Sequence, residues 1–383
     1  MKTLKNILLS LAAALPVLLS CEQKPAPSAP GSRLGFSLSF FKNAVSEVSP
    51  SENTIVSPYS AGVVLSMLAE GAGGETKVEL DKALNGCILA KEDLGSNDTV
   101  KVLVSNSLWV DDNFSVRNSY LFKMDKDYDA LVETLDFADP ATLHAINKWC
   151  SEHTEGKITE IIDRLDPGMV MVLADALYFN APWKDPFDPS GTHKDVFYGV
   201  SGQTKIEYMV KKAYYSYAEY HGCQLIRIPY ESDRYSMFVL LPAEGMKTSD
   251  VLQYLSEDAV NTALEGMKPA QIRLSLPKFK QDFGMILNST LKKMGIEKAF
   301  TQAADFKGIA EMGSLVLDQV KQKCYIDVTE KGTEAAAVTV AQMKLTSVRP
   351  QPFVNMTVDR PFIFFIADMD KSNVLFAGNI VNL

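Results

Sequence analysis

A chain of 383 residues, 46% of them hydrophobic and 22% charged, has an ordinary soluble globular composition. It can hold one large domain or two ordinary ones, which sets aside collagen-like, disordered and multi-span membrane readings. With a net charge of −9 and no run of lysines or arginines, a face for nucleic acid would have to be built against the overall sign, and no nucleic-acid partner is expected.

The amino terminus reads as an address. Lys2 and Lys5 precede an apolar stretch from Ile7 to Leu19, a signal peptide too short for a spanning helix. Leu18-Leu19-Ser20-Cys21 resembles the bacterial lipobox, in which Ser20 fits the cleavage pocket and Cys21 takes the lipid. Residues 1–20 are thus read as a lipoprotein signal peptide. Residues 21–33, with Pro25, Pro27 and Pro30, are read as a stiff lipidated tether, and residues 34–383 as one domain. The expected location is outside the cytoplasm, anchored through lipid to a bacterial membrane, at the outer membrane or cell surface. An ordinary secretory signal with a chance cysteine is the alternative.

Ser57-Pro58 followed by Ala61, Val64, Leu65, Leu68 and Ala69 predicts a helix, capped by the serine, with proline in its first turn and Gly71 to Gly74 at its end. Val102 to Val110 alternates as a strand. Asp139-Pro140 opens a second helix, with Leu143, Ile146 and Trp149 on one face and Gly156 after its end. Val170 to Phe179 is almost wholly apolar and predicts a strand buried on both faces. Alternating stretches recur at 206–210, 223–229, 235–241, 271–276 and 314–328. The last segment holds two apolar runs, Phe362–Ala367 and Val374–Ala377, joined by a polar turn. Helices early and strands late give an α+β class with large sheets.

Several chemical motifs carry little. Ser39–Lys42 and Ser289–Lys292 match Ser-x-x-Lys, with Lys247-Thr248-Ser249 between them in sequence, which suggests a serine hydrolase of the β-lactamase type. That chemistry needs the Lys-Thr-Ser element on a strand, whereas here it precedes a predicted helix. The histidines 144, 153, 193 and 221 lack metal-ligand spacing, and no CxxC, HExxH or Gly-x-Ser-x-Gly occurs. No metal or cofactor is expected, and the four cysteines after Cys21 read as buried free thiols rather than disulfides.

Glu330-Lys331-Gly332-Thr333-Glu334-Ala335-Ala336-Ala337 continues to Ala341 with one period-two face of Thr333, Ala335, Ala337, Thr339 and Ala341, all small and uncharged. Such a face suits a central strand, yet Pro350 and Pro352 follow in what reads as exposed loop. The segment is either a plain strand with a long turn or a loop that can become a strand.

These residues resemble the serpin family, over nearly all of 34–383. Glu330 to Ala337 looks like the serpin hinge, Met356 to Ile366 like the family's carboxy-terminal signature, and Leu375 to Asn379 like its closing strand. Asn53 to Ser60, Thr154 to Ile158 and Leu177 to Trp183 fall in the expected order before them. The resemblance implies three β-sheets with about eight or nine helices and an exposed reactive-centre loop. It also implies a monomeric suicide-substrate inhibitor of extracellular serine or cysteine endopeptidases rather than an enzyme. The cut loop of such an inhibitor inserts into the main sheet and traps the acyl-enzyme. A non-inhibitory serpin that binds a partner is the alternative.

By resemblance, Glu330 and Lys278 face one another near Trp183 where the loop enters. Ser57, Ser60, Asp175 and Gln322 cluster where the strands part. Asp175, Asn180 and Gln322 stand where the family usually has Asn, Lys and His. The cluster is therefore expected to keep Asp175 neutral and to lack a switch near pH 6.5. Counting from the hinge glutamate places the reactive bond at Thr346–Ser347, with Lys344 and Leu345 as alternatives. Elastase- and subtilisin-like targets are expected ahead of trypsin-like ones.

Overall fold

Among the described residues the chain forms fifteen strands and eight α-helices. The strands are Thr54–Val56 (β1), Lys101–Asp111 (β2), Leu131–Leu135 (β3), Met171–Pro182 (β4), His193–Gly199 (β5), Gly202–Tyr220 (β6), Cys223–Pro229 (β7), Tyr235–Pro242 (β8), Lys268–Pro277 (β9), Phe279–Ile286 (β10), Gln319–Thr329 (β11), Gly332–Thr333 (β12), Val354–Thr357 (β13), Phe362–Asp368 (β14) and Asn373–Ile380 (β15). The helices are Arg33–Val45 (α1), Pro58–Gly71 (α2), Gly74–Ala83 (α3), Asn118–Lys123 (α4), Pro140–His153 (α5), Thr248–Tyr254 (α6), Glu257–Glu265 (α7) and Asn288–Lys293 (α8). The structure, a computed structural model, describes residues 31–166, 168–311, 315–333 and 353–383.

The apolar run of β4 is buried without interruption from Met171 to Phe179, because both of its faces are covered. Val172, Ala174 and Ala176 pack with Ile146 and Cys150 of α5, and Leu173 and Leu177 join the main core on the other side. Helix α5 starts where its sequence predicts, with the Asp139 carboxylate accepting from Ala141 N. Helix α2 is capped by Ser57, whose side chain accepts from Ser60 N, and every one of its residues except Glu70 is buried. It touches β2 and β4 on one side and β15 on the other, which explains an apolar composition all around the helix.

A six-stranded sheet runs β10-β11-β12-β4-β2-β3, and a nine-stranded ladder runs β1-β15-β14-β8-β7-β6-β9-β13 with β5 on β6. The α+β serpin-like architecture is therefore present. Its second and third sheets form one continuous ladder because β6, 19 residues long, pairs with β5 and β9 along most of its length and with β7 at its end. The two apolar runs at the carboxy terminus form the β14–β15 hairpin.

Helix α1 begins at Arg33, earlier than the residues assigned to the tether suggest. Ser32 caps it, accepting from Gly35 N and donating to Glu257 Oε1 at 2.5 Å, so residues 32 and 33 belong to the folded body. The signal peptide and Cys21 lie outside the described residues. Cys87, Cys150, Cys223 and Cys324 are all buried and free.

Candidate functional site

The site lies where β4 and β11 separate. These two strands run parallel and pair from Val172–Leu177 with Gln319–Cys324. Beyond Leu177 and Cys324 that ladder stops, and β12 occupies the space as a short antiparallel insert. Thr333 stands opposite Ala181 and Val328, and Gly332 opposite Pro182 and Thr329. Only glycine fits this approach, because a Cβ on Gly332 would lie 2.2 Å from Ala181 O and 2.5 Å from Pro182 Cα.

Aromatic and charged groups fix the insert. Trp183 stacks on Tyr230 with ring centroids 4.5 Å apart, and its indole N–H donates to Thr329 O at 2.9 Å. The Trp183 amide donates to Lys331 O and the Phe187 amide to Glu330 O, both at 2.9 Å. The Tyr230 and Thr333 hydroxyls share a 2.6 Å hydrogen bond. Glu330 Oε1 accepts from Thr192 Oγ1 at 2.8 Å and pairs with Lys278 Nζ at 3.2 Å. Lys278 also pairs with Glu207 at 3.1 Å. Burial acts to raise the Glu330 carboxyl, but its own amide, Thr192 and Lys278 outweigh it and hold the group below the usual glutamate range. Burial likewise acts against the Lys278 ammonium, and its two glutamate partners hold it above the usual lysine value.

Deeper in the same seam lies a sealed polar cluster. Asp175 is fully buried on the α2 side of β4. Ser60 Oγ donates to Asp175 Oδ1, and Gln322 Nε2 donates to Oδ2 at 2.7 Å. Gln322 also bridges to the backbone of Ser57, accepting from its N at 2.8 Å and donating to its O at 3.0 Å. Because Gln322 stands opposite Asp175 in the β11–β4 ladder, the cluster ties together the two strands that part beyond it. Burial pushes the Asp175 carboxyl up to about 7, with the Ser60 and Gln322 hydrogen bonds acting in the opposite sense. The direction agrees with the expectation that the cluster favours a neutral Asp175, with Gln322 in the place where the family usually has a histidine.

Glu334, Ala335, Ala336 and Ala337 of the hinge lie outside the described residues, as do Lys344, Leu345, Thr346 and Ser347. Tyr230, Thr192 and Glu207 were not read from the sequence, and no local spacing marks them. Thr192 lies in the β4–β5 connection, Glu207 within β6 and Tyr230 in the β7–β8 connection, and the one available hint is an aromatic directly after β7. Lys247 to Ser249 begins helix α6 rather than a strand.

The serpin family model, described as serine protease inhibitor, matches residues 32–383. An uncharacterized serpin-like protein of Thermococcus kodakarensis is 30% identical over 96% of this chain and 88% of its own length. The leukocyte elastase inhibitor of Sus scrofa is 29% identical over 90% of this chain and 97% of its own. Among solved structures, the thermophilic serpin tengpin in its native state superposes with a TM-score of 0.85 at 30% identity, over 92% of this chain and 93% of tengpin.

Proposed function

This chain belongs to the serpin family, and from that premise we propose that it is a suicide-substrate inhibitor of serine or cysteine endopeptidases outside the cytoplasm. The observation that carries the reading is the seat of Gly332–Thr333 between β4 and β11, where the ladder between those strands has stopped. The segment that follows it in sequence carries small residues on one period-two face, Ala335, Ala337, Thr339 and Ala341. A strand of the main sheet is thus begun at Gly332 and Thr333 in the uncut chain.

The proposed reaction follows the protease's own chemistry. The enzyme's serine or cysteine attacks a carbonyl in the loop and expels the amine of the next residue, which leaves the enzyme acylated by the loop's amino-terminal side. That side then continues the strand begun at Thr333 and carries the enzyme away from the loop's original position. At about 0.5–1.5 kcal/mol net per backbone hydrogen bond, a dozen residues contribute on the order of ten kcal/mol before entropy, comparable with the stability of a whole domain. The chain itself performs no turnover. The Ser-x-x-Lys hydrolase alternative loses support, because the Lys-Thr-Ser element it needs on a strand opens a helix.

The test is incubation with elastase-, subtilisin- and trypsin-like proteases, followed by denaturing gels. A covalent adduct of protease size is expected. Cleavage of the loop without any adduct would instead indicate a non-inhibitory binding protein. For the lipid anchor, a Cys21→Ala chain should no longer incorporate labelled lipid, and incorporation that persisted would remove that part of the proposal. A monomer is expected by size-exclusion chromatography.

A further inference from the structure

Most charged side chains around the main-sheet junction are paired: Lys211 meets Asp185, and Lys278 meets Glu207 and Glu330. The outer face of β6, β9 and β13 differs. Lys212 stands directly opposite Arg273 in the β6–β9 ladder, and Arg273 directly opposite Asn355 in the β9–β13 ladder. Like charges facing each other across a ladder are destabilising, and among the described residues neither cation forms an ion pair. Lys212 Nζ instead sits 3.9 Å from the centre of the Phe353 ring. Phe353 and Tyr214 flank the two cations and are themselves 41% and 61% exposed. Two cations with no ion-pair partner among the described residues and two exposed rings therefore share one face of a chain whose net charge is −9.

The position of this face identifies its partner. Phe353 is the first described residue after 334–352, the segment that the proposed function offers to a protease, so an enzyme holding the far end of that segment is brought against β13 and its neighbours. We infer that Lys212, Arg273, Tyr214 and Phe353 form a docking surface for the target protease, selecting enzymes whose substrate cleft is rimmed by aspartates and glutamates. The inference rests on the inhibitor reading. Carboxylates from the partner would neutralise the facing cations, and arginine and tyrosine are side chains that dominate such contacts. Complementary charge also speeds encounter, which matters for a chain whose overall charge repels an acidic enzyme.

The experiment uses the full chain, a Lys212→Glu/Arg273→Glu variant and a Lys212→Met/Arg273→Met variant. The probes are two subtilisin-type proteases of the same pocket specificity, one acidic and one basic at the cleft rim, each in active form and with its catalytic serine replaced by alanine. The unaltered chain should bind the inactive acidic enzyme about tenfold more tightly than the basic one in about 50 mM salt, and the preference should shrink to about twofold in about 300 mM salt. Association rates of the active enzymes should follow the same order. The methionine variant should lose the preference without a lower melting temperature, and the glutamate variant should reverse it. Adducts that form with no charge preference would overturn the docking surface and leave the inhibitor standing. A charge preference without adducts would do the converse, and absence of both would remove both. Binding to phosphatidylglycerol vesicles that is lost in the variants, with protease association unchanged, would assign the face to lipid and overturn the inference.

Discussion

The hydroxyls of Tyr230 and Thr333 lie 2.6 Å apart in a region closed to solvent, so the hinge is already bonded to the β7–β8 connection in the uncut chain. Tyr230→Phe removes one partner and leaves the Thr333 hydroxyl buried and unpaired. A loss of about 1–3 kcal/mol is expected. It should appear as a lower denaturation midpoint and as faster amide exchange at Gly332 and Thr333. Exchange at these two amides that matched the unaltered chain would show that the bond does not hold the hinge.

Steric and charge changes at the insert should separate cleavage from trapping. Gly332→Ala places a methyl group against the Ala181 carbonyl, and Thr333→Arg places an unpaired charge in a buried position. Both variants are expected to be cut at the loop as readily as the original and to form little covalent adduct, because the strand cannot extend before the acyl-enzyme hydrolyses. Titration of a fixed amount of protease measures this. An unchanged number of inhibitor molecules per trapped protease would contradict the insertion model.

The Glu330–Lys278 pair is partly buried, with side-chain exposures of 13% and 28%. A solvated pair contributes about 0–1 kcal/mol, and breaking a fully buried one costs about 3–5 kcal/mol, so about 2 kcal/mol is the expected loss for Glu330→Lys. The Thr192 contact is lost with it. The separated strands should then open more readily, and mild heating should produce polymers or an inserted, inactive monomer, read by native gels. A variant that stays monomeric and active under that heating would rule out a gating role for the pair.

How much of this site was legible in the sequence depended on how locally each part is encoded. The Ser57 cap, the Asp139 cap and the doubly buried β4 follow from contiguous residue patterns; both caps stand where predicted, and β4 starts one residue later and ends three residues later than the apolar run. Helix α1 and strand β10 were not read, although Phe279, Gln281, Phe283 and Met285 alternate along β10 as inward positions. Only a short part of β6 was recognised, because its remaining residues are lysine- and tyrosine-rich and half exposed. The continuity of the nine-stranded ladder rests on those residues and is therefore not legible from the apolar pattern. Tyr230 and Thr192 reach the site through tertiary contacts, which no spacing in the chain specifies, whereas Asp175 stands out as the single carboxylate within an apolar run.

Asp175 makes stability depend on pH with a definite sign. Its carboxyl titrates at about 7 in the folded chain, against about 3.9 when unfolded. Between these values the folded state holds a proton that the unfolded state has released, so stability falls as pH rises from about 4 to about 7 and levels off above. The full difference is on the order of 4 kcal/mol as an upper bound. Asp175→Asn should abolish this dependence, since an amide can accept from Gln322 and donate to the Ser60 hydroxyl. Its advantage over the unaltered chain should be small near pH 4 and largest above pH 7. Denaturant midpoints of the two proteins across that range decide it, and parallel curves would show that Asp175 does not titrate there.

The cleaved bond sets specificity, and the sequence narrows it to a few candidates. Counting from the hinge glutamate Glu330 selects Thr346–Ser347, while counting back from Pro361 selects Pro350, because the loop is longer than the family usually has. A proline before the cut fits few protease pockets, and Arg349–Pro350 resists trypsin-like attack because the bond's nitrogen is tertiary. Lys344 would suit a pocket with an acidic base, and Leu345 an apolar one. A docking surface favouring acidic clefts does not choose between them, since it contacts the enzyme's rim rather than its pocket. The expected cut is after Thr346, by an elastase- or subtilisin-like enzyme, with Leu345 and Lys344 as the alternatives. Mass spectrometry of the carboxy-terminal fragment released from the covalent complex should find it beginning at Ser347. A fragment starting anywhere outside Leu345 to Val348 would exclude Thr346 and both alternatives, and only one starting beyond Val348 would move the specificity-determining residue toward Pro350.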